Sequence, residues 1–149
     1  MKHFLILTGI LLMLAPISFG QDTNIVYKVT NYEINGINYD QLALESDIAL
    51  SFYMCDENTL CFTNHWRETN SQSYGGVHAL KSREIPETAT DYGALEIKFT
   101  WNYYNTYDSN SGKAVVTIQH IMIGNTLKFA AEIVLMETNE ILKFKGYLE

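Results

Sequence analysis

Apolar and polar residues alternate with a period of two along most of the chain, and short clusters of turn residues separate the alternating segments. In a β-strand this period places successive side chains on opposite faces. From Leu95 to Tyr103 every second residue is apolar, and the residues between them are polar or charged. The pattern predicts an antiparallel sheet with one buried face and one solvated face.

The clearest hairpin lies in the C-terminal third of the chain. Gly124-Asn125 places glycine first, which suits a type II′ turn of two residues. Pairing across this turn sets His120 opposite Phe129 and keeps the apolar faces of both strands on the same side. Agreement between the turn and the alternation predicts the register of this hairpin.

A second turn sequence, Asn35-Gly36, follows the first alternating segment. Asn-Gly between apolar residues is a strong signal for a type I′ hairpin. Extended pairing across it would set Val29 opposite Leu42. The alternative is a short helix over residues 39–45, and the sequence leaves both open.

Two cysteines, Cys55 and Cys61, bracket a short polar segment inside a third hairpin, which covers residues 48–67. Setting the cysteines opposite each other pairs Phe52 with Asn64 and keeps the apolar faces matched. Both sulfurs then lie on the other face, at a separation that a disulfide can bridge. The C-x5-C spacing is not the C-x-x-C of redox and zinc motifs, so we interpret the pair as a structural disulfide.

The middle of the chain has a weaker pattern. Residues 68–73 are predicted to form a polar loop, and residues 74–82 a weaker strand interrupted by Gly75-Gly76. Residues 83–93 are predicted to form a long connection.

The sum of these segments is eight or nine strands joined mostly to their sequence neighbours. We therefore predict an all-β fold, an antiparallel up-and-down meander that closes into a small barrel, because an open sheet of this length would leave hazardous edges. A two-sheet β-sandwich is the alternative. In strand count and size the barrel resembles the calycins, the lipocalin-like barrels, although Trp66 and Trp101 lie outside the G-x-W signature of true lipocalins.

The first twenty residues have the pattern of a secretory signal peptide. Lys2 precedes an apolar run over residues 4–14, and small residues precede a predicted cleavage before Gln21. The run is shorter than the ~20 residues that span a bilayer, so a membrane span is disfavoured. We therefore predict an exported domain over residues 21–149, periplasmic or extracellular, where a disulfide is expected to persist.

Charge narrows the range of partners. The chain of 149 residues carries 10 Lys+Arg and 17 Asp+Glu, for a formal net charge of -7. A nucleic-acid binder needs a cationic footprint, so we predict no nucleic-acid partner.

Strand parity, meaning the odd or even position of a residue along its strand, sets the face to which its side chain points. It directs several aromatic and polar residues toward a common interior. We predict that this interior binds a small apolar molecule, since such cavities are mostly apolar with a few placed polar groups. His120 is the polar group of most interest, and its alternative interpretation is a core histidine satisfied by a neighbour. The candidate ligand-binding residues are Asn64, Trp66, Phe99, Trp101, His120 and Phe129.

A surface site is the alternative. Tyr104, Asn105 and Tyr107 lie in the densest aromatic stretch, and Tyr104 and Tyr107 fall outside its apolar face. Exposed tyrosines beside asparagines could bind a glycan or a protein, although tyrosine is also common in strands for structural reasons.

The sequence offers little support for catalysis, a cofactor or a metal. Common catalytic and phosphate-binding motifs are missing, so a hydrolase with an unrecognised site ranks last. Parity places His65 and His120 on opposite faces, which disfavours a histidine zinc site together with His78. Residues 108–112 resemble a calcium loop but lack its later glutamate, so we interpret them as a hairpin tip.

Overall fold

The computed structural model of the protein describes residues 24–149, and the predicted signal peptide lies outside these residues. Strands follow one another along this part of the chain, with one short helix near its start. The elements are β1 (Ile25–Ile34), β2 (Ile37–Asn38), α1 (Asp40–Glu45), β3 (Ile48–Met54), β4 (Leu60–Trp66), β5 (Ser71–Ile85), β6 (Ala94–Asn105), β7 (Ser111–Ile123), β8 (Thr126–Leu135) and β9 (Ile141–Leu148).

The strands form one antiparallel sheet in the order β2-β1-β3-β4-β5-β6-β7-β8-β9, and β1 also pairs with β9. This last pairing closes β1 and β3–β9 into an eight-stranded barrel, with β2 as a short additional strand. The predicted meander and its closure into a barrel are confirmed, and the chain does not form the alternative two-sheet sandwich. Closure satisfies the edges that an open sheet would expose.

The hairpin of β7 and β8 has the predicted register. His120 lies opposite Phe129, and Ile118 lies opposite Ala131. Gly124 has a φ of 61°, a left-handed conformation that glycine adopts without steric cost. The turn sequence and the alternation therefore fixed this hairpin together.

The extended pairing predicted across Asn35-Gly36 is wrong, and the helical alternative is confirmed. The hairpin contains only two pairs of residues before α1 begins at Asp40. Asp40 explains this early end, because its Oδ1 accepts a hydrogen bond of 2.9 Å from the backbone N–H of Tyr32. The carboxylate thereby ties the start of α1 to β1. No helix formed by residues 24–149 has the length and apolar character needed to cross a membrane.

The register predicted for the cysteine hairpin is wrong by two residues. Phe52 pairs with Phe62 rather than with Asn64, and the backbone N–H of Cys55 bonds to the carbonyl of Thr59. The observed register places the rings of Phe52 and Phe62 5.0 Å apart between centroids, a favourable cross-strand contact. A shift of two residues preserves parity, so the same side chains still face the interior.

The predicted disulfide is confirmed, since Cys55 and Cys61 are bonded with their Cα atoms 5.7 Å apart. Replacing both cysteines with serine is expected to lower the free energy of unfolding by about 2 kcal/mol, because the closed loop is short. Urea denaturation of the oxidised protein and of the variant measures the difference. Equal midpoints would show that the bond adds no stability.

The middle of the chain is more regular than predicted. β5 includes part of the expected polar loop and extends beyond the expected strand, so the connection to β6 is confined to residues 86–93. The register with β6 shifts between His78 and Lys81, where Ala79 has a φ of 52°. This bulge lets a long strand continue through a bend, a feature that alternation alone does not reveal.

Side chains fill the interior of the barrel. Trp101 is 2% exposed and its Nε1–H donates a hydrogen bond of 3.0 Å to the carbonyl of Phe62. The ring of Phe99 packs against those of Phe52 and Phe62, at centroid distances of 5.4 and 5.3 Å. Eight-stranded barrels are just wide enough for such filling. The largest fully buried side chains are Trp101, Tyr27, Phe52, Phe62, Phe99, Phe144, Ile48, Leu50, Leu95, Ile97, Ile118 and Ile133.

Candidate functional site

A cavity of about 760 Å³ lies at the end of the barrel where β4, β6 and β8 end. Its size is within the range of small-molecule sites. It is lined by Tyr32, Asn64, Trp66, Thr69, Ser71, Gln72, Ser73, Trp101, Tyr103, Asn105, Tyr107, Asp108, Asn110, Ser111, Leu135, Glu137, Thr138, Glu140 and Leu142.

Local sequence explains why the barrel is open here. Ser71 and Ser73 at the start of β5, and Ser111 at the start of β7, line the cavity with side chains too small to fill it. The turns after β6 and β8, residues 106–110 and 136–140, supply further polar lining. Small and polar residues at these strand ends and turns thus leave space beside the aromatic rings.

Aromatic rings provide the apolar lining. Trp101 contacts Tyr103, with ring centroids 5.0 Å apart. Tyr32 and Trp66 meet edge to face at 6.0 Å. Such contacts and the hydrogen bond of Trp101 to the β4 backbone hold the rings in place, so this part of the cavity is preformed.

Asn64 supplies the most informative polar group of the lining. The residue is 8% exposed, and its Oδ1 is buried without a hydrogen-bond partner among the described residues. An unsatisfied buried acceptor costs about 1–3 kcal/mol, so such atoms call for an explanation. A donor on a bound molecule would remove this cost.

Three carboxylates, from Asp108, Glu137 and Glu140, give the cavity its charge. The backbone N–H of Lys113 donates a hydrogen bond of 2.8 Å to Oε1 of Glu137 and holds this side chain in place. The pKa of Tyr103 is raised, first by burial and then by the negative charges of these three residues. Lysine and arginine side chains do not occur in the lining formed by the described residues.

The structure divides the six predicted ligand-binding residues into two groups. Asn64, Trp66 and Trp101 line the cavity. Phe99, His120 and Phe129 lie deeper, in the packed core, where each is at most 3% exposed. Parity correctly placed all six on the inner face, but the position along each strand determines which of them reach the open end.

His120 has two partners inside the core. Its Nδ1 lies 3.3 Å from the carbonyl of Leu95, which can only accept, so Nδ1 carries the proton. Its Nε2 therefore accepts a hydrogen bond of 2.7 Å from the hydroxyl of Tyr27. Burial lowers the pKa of His120 to about 4, so the ring is neutral at pH 7. This arrangement matches the alternative interpretation, a core histidine satisfied by its neighbours.

The three residues of the predicted surface site are also separated. Asn105 and Tyr107 line the cavity, and Tyr107 is 86% exposed, which places it at the outer rim. The Oδ1 of Asn105 accepts a hydrogen bond of 2.8 Å from the backbone N–H of Tyr107. Tyr104 instead faces outward and meets Tyr74 edge to face at 5.9 Å. Part of the predicted surface site and part of the predicted interior site thus share one cavity.

Sequence reasoning missed the residues that the turns contribute. Tyr103 belongs to the apolar face predicted for residues 95–103 and could have been included. Glu137 and Glu140 lie near a turn, where no period indicates the direction of a side chain. The successive antiparallel pairing of β6, β7 and β8 brings that turn to the same end of the barrel as the turn after β6.

Metal-binding clusters of three or more His, Cys, Asp or Glu residues do not occur in the part of the chain that the structure describes. His65 lies on the outer face, with its Nε2 3.3 Å from Oδ1 of Asn70. Asp108 accepts a local hydrogen bond of 3.1 Å from the backbone N–H of Asn110, as in a turn.

Comparison of the chain with protein-family models, with curated proteins and with solved structures finds no match. The geometry and chemistry of the cavity therefore carry the functional conclusion.

Proposed function

We propose that the protein is an exported barrel that binds a small organic molecule in the cavity at its open end. The observation that carries this proposal is the unsatisfied Oδ1 of Asn64, buried beside a cavity of about 760 Å³. Aromatic rings supply apolar area, and a few polar groups would fix the orientation of a ligand.

The filled core favours a ligand at the mouth rather than deep inside. Phe99 and Phe129 pack in the middle of the barrel, so a molecule there would have to displace them. Trp101 separates the packed core from the cavity, because it belongs to both. We therefore propose a ligand with an apolar part against the rings and polar atoms toward the turns.

Two features support export. Residues 1–20 have the pattern of a signal peptide, and the disulfide of Cys55 and Cys61 is a bond that persists in oxidising compartments. Both fit a protein that meets its ligand in the periplasm or outside the cell.

A glycan is the second candidate ligand, since Asn105 and Tyr107 bring amide and phenol groups to the rim of the same cavity. Sugars bind through such combinations of aromatic faces and hydrogen-bonding groups. The exposed contact of Tyr74 with Tyr104 is a separate surface, and its predicted role in glycan or protein binding stays a prediction.

Blocking the cavity tests the proposal. Replacing Ser73 with phenylalanine places a large ring in the cavity and is expected to weaken binding of small indoles at least tenfold. Two-dimensional NMR titration with tryptamine and indole-3-ethanol measures binding, with wild-type shifts expected at Asn64 and the indole N–H of Trp66. Ser82→Phe is the control, because Ser82 is an exposed residue of the same strand outside the cavity.

The thermal midpoint of each variant shows whether it remains folded. The proposal is contradicted if neither indole shifts the resonances of the cavity residues in the wild type. Equal affinity of a folded Ser73→Phe variant and the wild type would also contradict it.

A further inference from the structure

We propose that the cavity selects organic cations, namely a protonated amine attached to a flat apolar body. This inference deepens the proposed function and depends on it. Three observations point to this class: the sign of the charges in the lining, the acceptor of Asn64 and the aromatic faces.

The charged groups that line the cavity are all negative. Asp108, Glu137 and Glu140 come from the turns after β6 and β8 and share one cavity. Within residues 24–149 the ion pairs lie elsewhere, so none neutralises these three carboxylates. The pairs are Lys28–Asp47, Arg67–Asp47, Arg67–Glu149, Arg83–Glu96 and Lys143–Glu33. An anionic ligand would be repelled here, and a cation would be attracted.

Asn64 gives independent support, because it lies on β4 rather than on the acidic turns. Its buried Oδ1 is an acceptor without a donor. An ammonium group offers three donors and no acceptor, so it can donate to this oxygen while the carboxylates of the turns attract its charge. A ligand carboxylate could do neither.

The aromatic lining suits the remainder of such a ligand. Trp66 and Tyr103 are only partly buried and both line the cavity, so some of their ring surface remains available. Rings of this kind bind flat apolar groups and attract cations over their faces. Aliphatic side chains of Leu135 and Leu142 add apolar surface near the turns.

The pKa shifts of two tyrosines in the lining agree with this geometry. The pKa of Tyr32 is raised, first by burial and then by the charge of Glu140. The pKa of Tyr103 is raised in the same way, in agreement with carboxylates that lie close to the hydroxyl groups of the lining. Each tyrosine remains a neutral hydroxyl at pH 7 and can accept or donate a hydrogen bond.

Three indoles that differ in charge test the inference by isothermal titration calorimetry of the folded protein. The probes are tryptamine (a cation at pH 7), indole-3-ethanol (neutral) and indole-3-acetate (an anion). We expect tryptamine to bind at least tenfold more tightly than indole-3-ethanol, and indole-3-acetate to bind most weakly. Raising the salt concentration should reduce the preference, because screening weakens exposed charges.

Variants that each remove one negative charge test whether the carboxylates of the cavity cause the preference for the cation. Glu140→Gln is expected to weaken tryptamine binding about threefold while leaving indole-3-ethanol unchanged. Glu87→Gln is the control, since it removes the same charge from the exposed loop between β5 and β6, outside the cavity. A similar loss in both variants would mean that net charge, and not the cavity, attracts the cation, which would overturn the inference.

Two further outcomes separate this inference from the proposed function. If indole-3-ethanol binds in the cavity as tightly as tryptamine, the cavity binds small molecules but does not select cations. If indole-3-ethanol shifts resonances of the cavity residues but tryptamine shifts only resonances outside the cavity, selection of cations is overturned and the proposed function stands. If no indole binds, both are overturned.

Discussion

Replacing Gly75 with alanine is expected to lower the free energy of unfolding by about 3 kcal/mol. A Cβ at this position would overlap the backbone carbonyl oxygen of Asn102 and approach the Cα of Tyr103 to 3.1 Å. These atoms belong to the neighbouring strand β6, which pairs with β5 along its length. A backbone cannot move aside as a flexible side chain can, so the two strands would have to separate. Urea denaturation followed by tryptophan fluorescence measures the loss.

The adjacent glycine provides the control. A Cβ at Gly76 would meet only the side chain of His78, at 3.1 Å from its Nε2, and this exposed side chain is free to move. Gly76→Ala is therefore expected to change stability by no more than about 1 kcal/mol, since alanine also restricts the unfolded chain. Similar losses in both variants would show that glycine is required for another reason than the approach of β6.

Stability is expected to fall by about 3 kcal/mol as the pH is lowered from 6.5 to 4, because His120 is buried in its neutral form. In the unfolded chain this histidine has its ordinary pKa of 6.5, whereas burial lowers its pKa to about 4 in the folded protein. Between these values the unfolded state binds a proton that the folded state does not. The contribution of neutral His120 to the free energy of unfolding is complete above pH 6.5 and is lost as the pH falls to 4.

His120→Gln isolates this effect. Glutamine cannot be protonated, but its side-chain oxygen can accept the hydrogen bond from Tyr27, so the slope between pH 6.5 and 4.5 should largely disappear. His78→Gln, which removes an exposed histidine, should retain the wild-type slope. Urea denaturation at a series of pH values provides the comparison. If the free energy of unfolding of His120→Gln depends on pH as steeply as that of the wild type, the pH dependence belongs to other groups.

Alternation predicted the barrel well because the period of two has a direct physical cause. Side chains of a strand point alternately to either face, and in a single antiparallel sheet closed into a barrel one face packs inside while the other meets solvent. A register error of two residues in the cysteine hairpin left Phe52 and Phe62 on the correct face. Parity is therefore more robust than register, which also depends on which side chains pack across the strands.

Two predictions failed where the local sequence is compatible with more than one structure. Residues after Asn38 could extend a hairpin or form a helix, and the bond from Tyr32 to Asp40 helps to favour the helix. The sequence contains both residues, but their contact exists only once β1 and α1 lie together. The bulge at Ala79 is similar, since a bend in β5 is required only by the curvature of a closed sheet.

For the site, the sequence determined chemistry and the fold determined location. Asn64, Trp66 and Trp101 could be chosen from their inward parity, as could Phe99 and Phe129. Which of them line the cavity depends on the position of each residue along the barrel axis. The stagger (shear) between neighbouring strands sets that position. The alternation of side chains specifies the face of the sheet but not the position along the barrel axis.

The sequence by itself determined an all-β chain, a meander of mostly neighbouring strands, its inward faces and its disulfide, because these follow from local period, turn residues and cysteine spacing. Only the tertiary structure decided the register of β1 with β9, with its shift between Val29 and Asn31, and which residues line the opening that Asp108 and Glu137 share. Closure joins segments that are distant along the chain, and side chains in turns take their direction from it. The acidic, aromatic cavity is a product of that closure.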